Sequence, residues 1–322
     1  MNRPAPPAAY LHGIYPRSEA VVAATRDLER GRVTPERVDE AYRTDREALL
    51  RAQRAAGLDL LSDGLLRWQD LFRPLVEGSK GMQARVLVRW FDNNSFYRAP
   101  ELGAEGGTVL GEVPPWVLED GVPEPRVASL PSPYLFSRVT LGGGDPDDMM
   151  LGLARDVLAP AAAMLARSGH RLVHLEEPWI PYAGIDDGSW PALERAVATV
   201  REAASGAAVV LHTYYGDAAP HADRLRRLPV DAVGIDFVET PLDALPTPWE
   251  AGLVAGCLDG RRSVLEDPGE VTAFVRRAAD RLEPTALYVS SGSELELAGP
   301  EMAGRKLEVL GEVARQLREE AA

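Results

Sequence analysis

Short apolar runs that break off at polar residues alternate along the chain with longer stretches whose apolar residues recur at helical spacing. The runs are LDLLSDG, RLVHLEEP, AAVVLHTYY, VDAVGIDF, AGLVAGCLDG and TALYVSSGS, starting at residues 58, 171, 207, 230, 251 and 285. Helical patterns cover Asp147 to Ser168, Trp190 to Ala204 and Pro268 to Leu282. An earlier helix starts at Thr34, Pro35 and Glu36, where a capping oxygen, a proline at the first helical position and an acid in the first turn coincide, and it runs to Gly57. With a strand near Ala9 to Ile14 and another near Arg126 to Leu130, the pattern gives eight strands, each followed by a helical stretch. The expected fold is therefore α/β: a single (β/α)8 TIM barrel over residues 9–322, after a flexible leader of residues 1–8. An open doubly wound sheet is the rival, weakened because no G-x-G-x-x-G or phosphate loop follows the first strand. The Pro-, Gly- and acid-rich tract of residues 91–124 reads as an elaborated loop over one face.

Charge and composition narrow the partners. The formal net charge of −14 opposes phosphate backbones and anionic lipid, so neither nucleic acid nor a membrane is an expected partner. No run of about 18 or more apolar residues stands out. With one cysteine there is no internal disulfide framework, and a cytoplasmic setting is expected. Arginines beside strand ends, Arg17, Arg67, Arg98 and Arg261, suit a small anionic molecule, although solvated surface arginine is the commoner reading.

In a parallel barrel the chemistry lies at the carboxyl ends of the strands. Those ends carry Asp63, Glu176 and Glu177, His212 and Tyr214, Asp236, Asp259, and Ser290 with Ser291. Several carboxylates converging on one mouth need bound amines, cations, donors or water, because an unpaired buried charge is costly. Each has a plainer reading: rim salt bridges for the glutamates, a carbonyl-bonded core histidine for His212, helix caps for Asp236 and Asp259, turn residues for the serines. Alternation turns one of Glu176 and Glu177 inward, and sequence does not say which. H-x-C, C-x-x-C and H-E-x-x-H are absent from the sequence, so no metal residues are assigned and zinc is not expected. A mixed site of His212, Asp236, Glu177 and Cys257 is the metal alternative.

The stretches QRAAGLDLLSDG, RWFDNNSFYRAPEL, HLEEPWI, HTYYGD, LPVDAVGIDFV and LYVSSGSEL resemble, in order and spacing, the cobalamin-independent methionine synthase family. The resemblance implies a (β/α)8 barrel, and full-length members carry two that face each other. The carboxyl-terminal barrel binds zinc and moves a methyl group from 5-methyltetrahydrofolate to homocysteine; the amino-terminal barrel lacks the metal. WFDNNSFY, LPVDAVGIDFV and VSSGSEL look more like the metal-free half. Against the catalytic half, Tyr214 and Gly216 fall near its His-x-Cys pair, Ser290 or Ser291 near its later cysteine, and Asp236 near its acidic ligand. Leu65 stands where that half has a glutamate. Glu176, Glu177 and Pro178 match a segment whose acid holds the substrate's amino group. Arg17, in Tyr15-Pro16-Arg17, is matched to an anionic folate tail, and Trp90 is counted with it as a 5-methyltetrahydrofolate contact. Asp63, Tyr214, Asp259, Ser291 and Asn94 are counted with Glu176 as substrate contacts, and His212, Glu177 and Asp236 as catalytic groups.

Three functions follow. The first is methyl or one-carbon transfer to an amine- or thiol-bearing, amino-acid-like small molecule without the usual zinc, a general base replacing the metal. The second is a non-catalytic accessory barrel that binds folate or a partner barrel, either a second copy or a separately encoded catalytic subunit. The third is a metal-free decarboxylase or lyase.

Overall fold

The computed structural model describes residues 7–103, 108–111, 121–142 and 144–321. The strands, in chain order, are β1 Ala8–Ala9, β2 Ser79–Lys80, β3 Met82–Arg89, β4 Phe96–Leu102, β5 Val109–Leu110, β6 Arg126–Pro131, β7 His170–Glu177, β8 Ala208–Thr213, β9 Ala232–Asp236, β10 Gly252–Leu258 and β11 Leu287–Ser291. Seven form one parallel sheet in the order β1-β11-β10-β9-β8-β7-β6. The gap between β1 and β6 is closed by Leu60 and Leu61, which bridge in parallel to Tyr10 and Arg126. The second stave of the barrel is thus two residues long, and the expected eight-strand ring is present.

Helix boundaries follow local chemistry. Thr34, Ser132, Asp145 and Asp267 each precede a proline that opens a helix. A ring-locked φ is already helical and the missing N–H has no intrahelical partner to lose there. Asp267 accepts from the Glu270 amide at 2.9 Å, and Val271, Val275, Ala278 and Leu282 then bury one face of helix Pro268–Leu282 against the barrel. Residues 146–167 form a helical stretch that is long and apolar enough to cross a membrane by length and composition, a feature the sequence reading passed over. Half of it is buried inside the protein, with Met150, Leu153, Ala154, Val157, Leu158, Ala162 and Leu165 in the core, as a barrel helix requires.

Two boundaries differ from expectation. The excursion over the mouth begins before residue 91, because β3 and β4 pair as an antiparallel hairpin with Trp90 and Phe91 at its turn. Its period-two alternation lay half inside the tract taken as loop. Residues 104–107 and 112–120 of that tract, and residues 1–6 of the leader, lie outside the described residues. The first strand also starts one residue early, at Ala8.

Inside the barrel the pleat sorts residues into levels. Tyr10, Leu60, Val127, Leu172, Val210, Ala232, Val254 and Tyr288 pack as one apolar cluster, one residue from each stave. Two positions toward the carboxyl ends, the inward residues become His12, Ser129, His174, His212, Gly234, Gly256 and Ser290. Two positions further stand Glu176 on β7, Tyr214 just past the end of β8 and Asp236 at the end of β9. The lumen therefore passes from an apolar plug through imidazoles to acids.

Candidate functional site

At the middle level three buried imidazoles cluster. His12 and His174 stack with centroids 4.3 Å apart, and His212 tilts against them at 4.7 and 5.1 Å. Glu176 turns into the lumen, where His12 Nδ1 lies 3.0 and 3.1 Å from its two carboxylate oxygens. His12 Nε2 donates to the Ser291 carbonyl at 3.2 Å, and His174 Nδ1 meets the Tyr10 hydroxyl at 3.0 Å. His174 Nε2, both nitrogens of His212, the Tyr214 hydroxyl and the Ser291 hydroxyl are buried without a hydrogen-bond partner. Burial first, and the neighbouring His12 second, hold His174 and His212 well below the usual histidine range, so both are neutral at pH 7.

The mouth above is acidic. Glu294, three residues beyond the end of the last strand at Ser291, is buried and takes hydrogen bonds from the Trp90 indole at 3.1 Å, the Tyr215 hydroxyl at 3.4 Å and the Ile14 amide at 3.4 Å. Burial, then Glu296 and Glu176, push its carboxyl well above the ordinary range. Glu294 and Glu176 flank Gly13: a methyl group there would lie 3.2 Å from Glu294 Oε2 and 3.3 Å from Glu176 Oε1. Asp236 lies against Gly292 and accepts from the Val238 amide at 3.0 Å. Burial raises its carboxyl to about 7. Beside Glu294 a narrow crevice runs between barrel and hairpin, lined by Ile14, Asp70, Phe72, Trp90 and Glu296. Arg17 faces Glu296 at 3.8 Å, and Arg261 lies over the Tyr215 ring at 5.3 Å. An acid-walled, aromatic-sided lumen of this kind suits a cationic or amine-bearing ligand.

Residues 149–283 match the family described as cobalamin-independent synthase, N-terminal domain. The 5-methyltetrahydropteroyltriglutamate–homocysteine methyltransferase of Mycobacterium leprae is 31% identical over 203 residues, 60% of this chain and 26% of that protein. The chain is a relative of the cobalamin-independent methionine synthases. The enzyme of the same name from Mycobacterium tuberculosis H37Rv is 31% identical over 212 residues, 62% of this chain and 27% of its own. The chain spans about a quarter of the length of these curated relatives. Among solved structures, a B12-independent methionine synthase from Shewanella sp. W3-18-1 superposes with TM-score 0.74 at 16% identity, over 98% of both chains. A putative one from Listeria monocytogenes gives 0.75 at 18% identity, over 98% of this chain and 99% of that one. These two establish the methionine-synthase barrel fold.

Within that barrel the structure separates the residues that sequence had grouped. Glu176, His212, Tyr214, Asp236 and Ser291 line the lumen or its mouth, and Trp90 reaches Glu294. Glu177 is turned away from the lumen. Its carboxylate is bonded by the Ser132 hydroxyl, by the Leu135 amide at 3.2 Å and by the Ile180 amide at 3.0 Å, so it ties together two helix starts. Its carboxyl, raised to about 7 by burial, has its acceptors occupied, and a catalytic role for it finds no support in these contacts. Asp259 accepts from the Arg261 and Arg262 amides at 2.9 and 3.2 Å and so closes a turn, where a helix cap was the alternative expected. Asp63 caps a turn at the Leu65 amide, 3.0 Å away. Asn94 is exposed, while its neighbour Asn93 is buried. Cys257 points between strands, its Sγ 3.5 Å from the Ser290 carbonyl, so the mixed site with His212, Asp236 and Glu177 is not assembled.

Sequence reasoning missed His12, His174 and Glu294. His174 precedes Glu176 by two, the spacing that puts both on one face of a strand, and that signal was available. Glu294 lay in a quoted motif but beyond the strand end, where the strand-end rule does not look.

Proposed function

We propose that the chain transfers a methyl or other one-carbon group from a folate-type donor to a small amino-acid-like acceptor bearing an amine or thiol. Homocysteine and the methyltetrahydropteroyltriglutamate donor are named for the relatives, and both are the first compounds to try. The observation that carries the reading is the pair of buried carboxyls, Glu176 and Glu294, flanking Gly13. An ammonium between them would satisfy both, with charge-assisted bonds about twice as strong as neutral ones. Asp236, poised near 7, is matched to take the proton that leaves the acceptor as the methyl group arrives, since a general base works best with a pKa near the working pH. The donor's ring nitrogen, freed of its methyl group, takes up a proton in turn. Trp90, Phe91 and Tyr215 supply apolar faces for a pterin ring beside the site.

The family's zinc-binding barrel uses thiolates. By the resemblance Tyr214, Gly216 and Ser290 or Ser291 fall near those positions, and Cys257, whose thiol burial pushes up to about 12, faces elsewhere. This residue set does not fit that thiolate zinc centre, and no step is routed through it.

Glu294→Gln is expected to weaken acceptor binding about 10- to 100-fold, the loss of one charged hydrogen-bond pair. Calorimetric titration with L-homocysteine and with its deaminated analogue reads this. The wild type should prefer the amine and the variant should not; equal affinity of the wild type for both would remove the ammonium site. A second reading, an accessory barrel serving a separate catalytic subunit, is favoured by the match to an amino-terminal domain of much longer relatives. Under that reading acceptor is bound but methionine forms only after a partner barrel is added.

A further inference from the structure

The three imidazoles beneath the acidic mouth are not used by the proposed transfer, and their arrangement points to an ion. One ring nitrogen from each of His12, His174 and His212 lies within 4.8 Å of the other two, all three side chains buried. Two of the three have an orienting partner on one nitrogen. Glu176 holds His12 at Nδ1, and the Tyr10 hydroxyl holds His174 at Nδ1. A ligating histidine commonly has a carboxylate or other polar group on its second nitrogen, fixing tautomer and ring direction. The nitrogens so left are His174 Nε2, which has no hydrogen-bond partner and lies 3.8 Å from Glu176 Oε1, and His12 Nε2, whose contact with the Ser291 carbonyl is 3.2 Å. His212 has neither nitrogen bonded. Buried imidazole nitrogens without a partner, as on His174 and His212, are costly unless something occupies the space beside them.

We propose that His12, His174 and His212 bind a first-row divalent transition ion of the zinc or cobalt class, with Glu176 as the outer partner of His12. Imidazole donors without sulfur suit such ions. The stacked pair His12 and His174 must fan apart for both lone pairs to meet one ion. His12 does so by giving up its Ser291 contact. The Ser291 and Tyr214 hydroxyls, also unpartnered, then face a water or substrate atom on the ion's open side. The site lies one pleat deeper than Tyr214 and Asp236, and so is separate from the thiolate set that the family resemblance implies. It also stands independently of the methyl-transfer reading.

The test is elemental analysis and cobalt spectroscopy on tag-free protein purified without chelator, loaded with excess zinc or cobalt and desalted. About one ion per chain is expected, falling at least tenfold in His174→Gln and unchanged in Cys257→Ser. Cobalt-loaded wild type, which needs no folded variant, should show visible ligand-field bands with no near-ultraviolet sulfur charge-transfer band. Failure of the wild type to retain metal, retention by a folded His174→Gln, or a thiolate band would each overturn the proposal. Loss of homocysteine binding would leave it untouched.

Discussion

Asp236→Asn is expected to lose most one-carbon transfer while making the protein more stable at alkaline pH. The two effects have one cause. Asp236 is almost fully buried, and burial raises its carboxyl from an ordinary 3.8 to about 7. Between those two values the folded protein holds a proton that the unfolded chain has released. Stability therefore falls as pH rises from about 4 to about 7 and stays reduced above it. Asparagine keeps the acceptor that meets the Val238 amide but has no charge to bury, so above pH 7 it should gain on the order of 2 to 4 kcal/mol. Activity runs the other way, because the base acts when ionised: the wild-type rate should rise through about pH 7, and the variant should fall by about 10²- to 10⁴-fold with no such rise. Denaturant titrations at pH 5 and pH 8, beside rate profiles, check both halves. A variant that is less stable at pH 8, or as active as the wild type, would remove Asp236 from this role.

The second large effect concerns the seat of His212. Gly234 lies directly opposite His212 in the β8–β9 register. A Cβ on residue 234 would come within 2.6 Å of His212 Cδ2 and 2.7 Å of its Cβ, well inside ordinary contact. The ring has nowhere to retreat, since His12, His174 and Tyr214 pack around it. Gly234→Ala should therefore destabilise by about 1 to 3 kcal/mol, the usual range for overpacking, and displace the imidazole. Gly152→Ala serves as the opposite control. It sits in helix Pro146–Leu153 with nothing within 4 Å of an added methyl, so the better helix former should stabilise by up to about 1 kcal/mol. Chemical denaturation of both variants gives the comparison, and equal stability of Gly234→Ala and wild type would mean that His212 is not held as described.

What the sequence reveals here depends on range. The barrel was legible because six of the eight staves are strands of five residues or more, and because several helices carry their caps and prolines locally. One of the other two is instructive. Leu60 and Leu61 make only isolated bridges, yet the run LDLLSDG marked the stave, since burial on both faces leaves the same apolar signature as a longer strand. The site was half legible. His212, Glu176, Tyr214 and Asp236 stand out because strand ends in such barrels point at the mouth, and all four line the lumen or its mouth. The contacts of Glu177 and Asp259 are not legible in the sequence because their partners, the Ser132 hydroxyl and nearby amides, belong to turns whose geometry has no sequence period. His12 and His174 were missed because convergence on one point is a property of closure: β1 and β7 come together only across the lumen.

The central claim is that this lumen transfers a one-carbon group to an amine-anchored acceptor. The most direct measurement is single-turnover incubation of the purified chain with methyltetrahydropteroyltriglutamate and L-homocysteine, following methionine and demethylated folate by mass spectrometry across pH 5 to about 9. The account predicts equal amounts of both products, a rate that rises through about pH 7, and loss of both in Asp236→Asn. A donor left intact at every pH, with homocysteine and with amine acceptors, would contradict it.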